Sequence, residues 1–388
     1  MCNGLAIALA LVSVARATNG QVIPSLNLKG APNTSLRLEA QHAVEKGLSW
    51  LEKHQDTNGF WSSPDHPAVT ALVLTAYKLQ SVGREQKTEP AAVKKGYAWL
   101  VSCAQPDGGI YRKEIPSYNT SVALTALALS DHAEFRPVIL KARKFIIGLQ
   151  NDLGEPGKVD TASDGGIGYG NSDRRPDLSN SEWAYEAMYF TKNFVTDKNL
   201  SDAGDLNWAA AIHFIQSCQN LPSHNSESWA SDDPQNKGGF IYMPGKSMAG
   251  ETNLASGKVA LRSYGSMSYA GLLSYAYADL KADDPRVTAV LEWLWNNFSV
   301  DENPALGPEG LYYYYVVMAK ALARYGSDTF QTSDGRKVKW REELTLKLLN
   351  LQQPDGSWAH TNGRWWEKDP ALVTAFSLLA LEVAAEKL

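Results

Sequence analysis

The stretch Gln352-Gln353-Pro354-Asp355-Gly356-Ser357-Trp358 decides the fold, because the chain repeats its pattern, each time after a helix-patterned run. Lys46-Gly47-Leu48-Ser49-Trp50-Leu51 leads to Gln55-Asp56-Thr57-Asn58-Gly59-Phe60-Trp61, and Lys95-Gly96-Tyr97-Ala98-Trp99-Leu100 leads to Gln105-Pro106-Asp107-Gly108-Gly109-Ile110-Tyr111. Weaker copies pair Gln150 with Asp164-Gly165-Gly166-Ile167-Gly168-Tyr169, and Gln219 with Gly238-Gly239-Phe240-Ile241-Tyr242. A sixth keeps the helix pattern in Val290-Leu291-Glu292-Trp293-Leu294-Trp295, but only Gly310-Leu311-Tyr312 remains of its turn. A repeat of this period fixes an architecture before any residue has a chemical role.

Two kinds of helix surround each turn. Before it, Ala43, Val44, Gly47, Leu48 and Leu51 share one stripe while Glu45, Lys46, Ser49, Glu52 and Lys53 lie off it, the pattern of a helix with one face in water. After it, runs such as Ala68 to Tyr77, Ser121 to Leu129 and Ala371 to Leu379 are apolar nearly all round and must be covered on most sides. Hairpins of this kind stacked in a line leave two apolar ends, whereas a ring leaves none. The expectation is an all-α fold, a closed α/α toroid of about six helical hairpins over residues 41–388. Asp-Gly and Asn-Gly supply the positive φ of the turns. Trp61, Tyr111, Tyr169, Tyr242 and Trp358 read as packing residues at the joints.

The chain of 388 residues carries 37 Lys and Arg against 42 Asp and Glu, a net charge of -5. That leaves no electrostatic footprint for nucleic acid. Leu5 to Val14 form an apolar run ending in Ala15-Arg16-Ala17, the small-x-small form of a secretory cleavage site. The reading is a leader at 1–17, an extension at 18–40 and a secreted or periplasmic protein with no membrane span. Cys103 and Cys218 sit at equivalent places in non-adjacent repeats, beyond disulfide reach, and read as buried free thiols. The seven histidines show no metal spacing, so neither metal nor cofactor is expected.

The Gln…Asp-Gly-Ser-Trp element at 352–358 and its relatives resemble the QW repeats of squalene-hopene cyclases, in the superfamily of terpenoid cyclase and protein prenyltransferase toroids. The resemblance spans about residues 41–388 and implies an apolar isoprenoid-type ligand. Class II cyclases protonate an alkene or epoxide with the central acid of a DxDD motif. The matching stretch is Asp177-Leu178-Ser179-Asn180, which keeps only the first acid. The prenyltransferase branch holds zinc with Asp, Cys and His; the corresponding Tyr264 to Tyr269 and Tyr312 to Val316 supply none of them.

A toroid gathers the N-terminal mouths of its inner helices on one face, and polar residues there are the site candidates. Asp177, Glu182 and Glu186 are the catalytic candidates, with Asp177 and Ser179 also suited to helix capping. Asn180, Trp183, Tyr185, Tyr264, Tyr269, Glu309, Tyr312 and Tyr315 are the ligand-binding candidates. The run Tyr312 to Tyr315 spans a helical turn, so at most two of the four can face a cavity. An aromatic hollow suits apolar polycycles and sugar faces alike. A carbohydrate lyase or hydrolase using two of Glu182, Glu186, Asp232, Asp233 and Glu309 is one alternative, and a non-catalytic partner-binding scaffold another. The oligomeric state stays open.

Overall fold

The computed structural model describes residues 33–79, 89–152, 154, 160–170, 175–195, 204–325 and 328–388; the expected leader lies outside them. Among these residues twelve α-helices form six consecutive pairs, the first of each pair outside and the second inside. They are α1 (Thr34–Lys53) with α2 (Pro67–Leu79), α3 (Ala91–Ser102) with α4 (Pro116–Leu129), and α5 (Arg136–Ile147) with α6 (Leu178–Phe190). The second half has α7 (Trp208–Ser217) with α8 (Gly265–Tyr277), α9 (Pro285–Asn296) with α10 (Leu311–Tyr325), and α11 (Trp340–Leu351) with α12 (Pro370–Ala385). The first helix thus starts ahead of residue 41. Two small antiparallel ribbons sit in the loops: β1 (Glu251–Asn253) pairs with β2 (Val259–Leu261), and β3 (Phe330–Gln331) with β4 (Lys337–Val338).

The inner helices close on themselves. Each packs against the next, and α12 returns to α2, which makes the expected α/α toroid. Burial follows the two helix types: every residue of α8 from Gly265 to Tyr277 is buried, while α5 buries only Ile139, Ala142, Arg143 and Ile146.

The repeated turn is a clasp between neighbouring hairpins. Gln352 Nε2 donates to Gly356 O of its own turn at 2.9 Å and to Ala43 O of α1 at 2.8 Å. Gln55 does the same to Gly59 and to Ala92 of α3, Gln150 to Gly165 and to Asn207 at the start of α7, and Gln219 to Gly238 and to Arg286 of α9. Gln105 departs from the pattern, donating to Cys103 O and Tyr111 O. The turn glycines Gly59, Gly108, Gly165, Gly238 and Gly356 have φ between 89° and 101°, and each lies against a carbonyl of the next outer helix. A Cβ at any of them would fall 1.8 to 2.7 Å from that oxygen.

The residue two beyond the glycine is then driven inward. Trp61, Ile110, Ile167, Phe240 and Trp358 are each 0% exposed, and their main-chain N–H groups donate to Thr70, Thr120, Ser181, Ser268 and Thr374 of the inner helices. Trp61 and Trp358 therefore pack as expected. Tyr111, Tyr169 and Tyr242 do not hold that place, because it belongs to Ile110, Ile167 and Phe240. Tyr111 lies near Phe145 with ring centroids 5.9 Å apart, and Tyr169 and Tyr242 turn toward a central cavity. Cys103 and Cys218 are buried and free.

Gly356→Ala combines a positive φ with the clash on Lys46 O, and is expected to cost about 3 kcal/mol in denaturant unfolding. Gly250→Ala shares the positive φ of +80° but has nothing within 4 Å, and is expected to cost only about 1 kcal/mol. Equal costs would show that the close contact does not matter.

Candidate functional site

The N-terminal ends of the inner helices converge on a cavity of about 450 Å³. Ala68 and Val69 of α2, Tyr118 of α4, Ser179, Asn180 and Trp183 of α6, Ser266 and Met267 of α8, Tyr313 of α10, and Leu372 and Phe376 of α12 line it. Nine of its twenty described lining residues are aromatic: Tyr118, Tyr169, Trp183, Tyr242, Tyr264, Tyr313, Trp365, Trp366 and Phe376.

Side chains cap most of these helix ends, because the first N–H groups of a helix have no partner within it. Asn119 Oδ1 accepts from Ala68 N at 3.0 Å, and Asn303 Oδ1 from Ser266 N at 2.9 Å. Asp369 Oδ1 accepts from Ala371 N and Leu372 N. Glu367 Oε1 accepts from Tyr312 N and Tyr313 N at 3.0 and 2.9 Å, and its Oε2 lies 3.2 Å from His360 Nδ1.

Asp177 is the cap of α6. Its Oδ1 accepts from Asn180 N at 2.9 Å and its Oδ2 from Asn180 Nδ2 at 2.7 Å. Burial pushes its carboxyl up to about 6, against the pull of the bonds it accepts from Asn180. Ser179 lines the cavity, with its Oγ 3.5 Å from the Tyr313 hydroxyl. Of the tyrosine run, Tyr313 alone is among the lining residues.

Glu182 and Glu186 lie deeper, in a polar knot between α6, α8 and α10. Lys320 Nζ donates to both Glu186 oxygens at 2.8 and 2.7 Å, and Tyr277 OH donates to Oε2 at 3.1 Å. Lys320 also sits 4.5 Å from the centre of the Trp183 ring. Neither Glu182 oxygen completes a hydrogen bond, and the residue is 0% exposed. Burial first, then the charge of Glu186, pushes its carboxyl well above the usual range, while Lys320 pulls the other way.

Of the ligand-binding candidates, Asn180, Trp183 and Tyr264 line the cavity. Tyr185 donates to Gly165 O and braces a turn, and Tyr269 packs against Tyr314 with centroids 5.6 Å apart. Tyr312 and Tyr315 donate to Ala359 O and Val300 O between helices. Glu309 lies outside the lining and pairs with Arg364. Sequence reasoning passed over Lys320, whose signal was a lone cation inside an apolar inner-helix run. It also passed over Trp365, Trp366 and Glu367, which belong to no repeat. Trp365 and Trp366 both have positive φ, 52° and 66°, at the cavity mouth. Among the described residues no His, Cys, Asp and Glu side chains group as a metal centre needs, and no helix is long and apolar enough to cross a membrane.

No protein-family model matches the chain, and no curated protein sequence matches it either. Solved structures do resemble it. A variant of type II terpene cyclase MstE from Scytonema in complex with merosterolic acid A matches with a TM-score of 0.51 and 12% identity, covering 91% of this chain and 99% of that one. A second variant of MstE, in complex with geranylgeranyl dihydroxybenzoate, matches with the same values. A ligand-free variant gives a TM-score of 0.50 at 13% identity over the same shares. At such identities the likeness concerns the fold, which is terpenoid cyclase-like.

Lys320→Met removes the cation that donates to both Glu186 oxygens and should lower stability by about 3 to 5 kcal/mol. Glu186→Gln in the same chain should restore most of it, and a double variant as unstable as the single one would contradict the pairing. For Asp177 the folded value lies above the ordinary 3.8. Its contribution is therefore fully present below about pH 4 and lost as the pH rises through about 6, up to about 3 kcal/mol. The stability difference between wild type and Asp177→Asn, followed by thermal unfolding from pH 4 to 7, is expected to shrink by that amount; a pH-independent difference would contradict the shift.

Proposed function

We propose that this chain is a terpenoid cyclase-like toroid that binds an apolar isoprenoid-type ligand in the central cavity, without the alkene-protonating chemistry of class II cyclases. The carrying observation is the aromatic lining at the converged mouths of the inner helices. Its size lies in the range of ordinary ligand pockets. The isoprenoid compounds bound to the MstE variants support the same ligand class.

Protonating an alkene takes a strong acid aimed into the cavity. Asp177, Glu367 and Asp369 are occupied as caps, and burial makes Asp177 and Glu182 weaker acids. The carbohydrate alternative needs two carboxyl groups about 5 to 9.5 Å apart across one cleft. None of Glu182, Glu186, Asp232, Asp233 and Glu309 is among the lining residues. The apolar run before Ala15-Arg16-Ala17 supports export, so the ligand would be met outside the cytoplasm.

Titration with geranylgeraniol, followed by quenching of tryptophan fluorescence, is expected to give saturable binding. Met267→Trp, which puts an indole ring into the cavity from α8, should weaken it at least about tenfold while the chain still unfolds cooperatively. Absence of binding, or unchanged affinity in that variant, would overturn the proposal.

A further inference from the structure

The cavity contains an acceptor that no described residue satisfies. Asn180 is 2% exposed and lines the cavity. Its amide orientation is set by Asp177: that carboxylate accepts from both Asn180 N and Asn180 Nδ2, and only the nitrogen of an amide can donate. Oδ1 is therefore the remaining polar atom of the side chain, and it has no hydrogen-bond partner. A buried carbonyl left in this state is unfavourable, and a donor brought beside it recovers the loss.

The other polar groups of the lining are less selective. Ser266 Oγ accepts from Asn303 Nδ2 and Glu367 Oε1 from two main-chain N–H groups, while Glu367 Oε2, which completes no hydrogen bond, faces the His360 imidazole at 3.2 Å. His66 Nδ1 is also unpartnered, but an imidazole nitrogen can donate or accept according to its tautomer. The Asn180 oxygen can only accept.

We infer that the ligand is an isoprenoid carrying a hydroxyl or equivalent hydrogen-bond donor, which Asn180 Oδ1 accepts at the mouth of α6 while the aromatic walls enclose the hydrocarbon. This rests on the isoprenoid reading above and narrows its ligand class: a pure hydrocarbon of the same skeleton leaves the oxygen unsatisfied. Ser179 and Tyr313, beside it in the lining, supply hydroxyls that can accept or donate to the same group.

The test compares geranylgeraniol, its methyl ether and the parent hydrocarbon by fluorescence titration of the full chain. Wild type is expected to bind the alcohol about tenfold more tightly than the ether or the hydrocarbon. Asn180→Leu, close in volume but without an acceptor, should bind all three alike, retaining the wild-type affinity for the ether. Equal binding of alcohol and ether by wild type overturns this inference and leaves the isoprenoid reading intact. Failure of all three to bind overturns both. A preference that persists in Asn180→Leu assigns the donor to another residue and likewise overturns the inference.

Discussion

The glycine-to-carbonyl contact at the repeat junctions sets the spacing on which the remaining structure depends. Gly59, Gly108, Gly165, Gly238 and Gly356 each bring a turn against the next outer helix at a distance that excludes a Cβ. The glutamine clasp then ties four of these five turns to a main-chain carbonyl of that helix or its cap: Ala92, Asn207 and Arg286 at the helix start, and Ala43 midway along α1. Because Gly356 meets Lys46 and Gln352 meets Ala43, the last hairpin locks onto the first with the same contacts used between the others. Closure needs no special device, only one more copy of the joint. The same spacing lets Trp61 and Trp358 lie over Gly96 and Gly47 of the neighbouring helices, positions where any larger residue would push the ring apart.

Closure has an electrostatic consequence. Parallel inner helices in a ring present their N-terminal ends to one shared space, and each end carries unpaired N–H groups and a partial positive charge. Five of the six ends are answered by side chains: Asn119 for α2, Asp177 for α6, Asn303 for α8, Glu367 for α10 and Asp369 for α12. Three of those five are carboxylates. Acids gather at the mouth because the fold needs acceptors there, which is a sufficient reason for them without any catalytic role.

The fold was legible in the sequence because a joint repeated five times leaves the same letters each time, and because α2, α4 and α12 are apolar nearly all round. The cavity position was legible too, since it follows from closure. The individual lining residues were harder. Tyr169 and Tyr242 look like the closing aromatic of the repeat, yet the buried place falls on Ile167 and Phe240, two residues earlier in each, and that register is visible only from the glycine outward. Tyr185, Tyr269, Tyr312 and Tyr315 lie on inner helices like Trp183 and Tyr313, but an inner helix has neighbours on both sides, and only a narrow stripe near its start reaches the hollow. Glu367 caps α10 from a segment 55 residues away in sequence, a pairing no local pattern records.

The knot around Glu186 explains how charge is tolerated at the centre of such a ring. One lysine faces two glutamates; Lys320 satisfies Glu186, with Tyr277 adding a third bond. Leaving Glu182 ionised as well would place a second negative charge in the same dry volume, and Coulomb repulsion at short range in low dielectric makes that unfavourable. Burial first, and this second charge after it, set the direction of its shift. A carboxyl held neutral for that reason keeps its proton more firmly than a free one does, so the burial that makes it neutral also makes it a poor donor to an alkene. Depth in this fold works against acid strength. A class II reaction would need an acid at the mouth, where Asp177 is already engaged by Asn180.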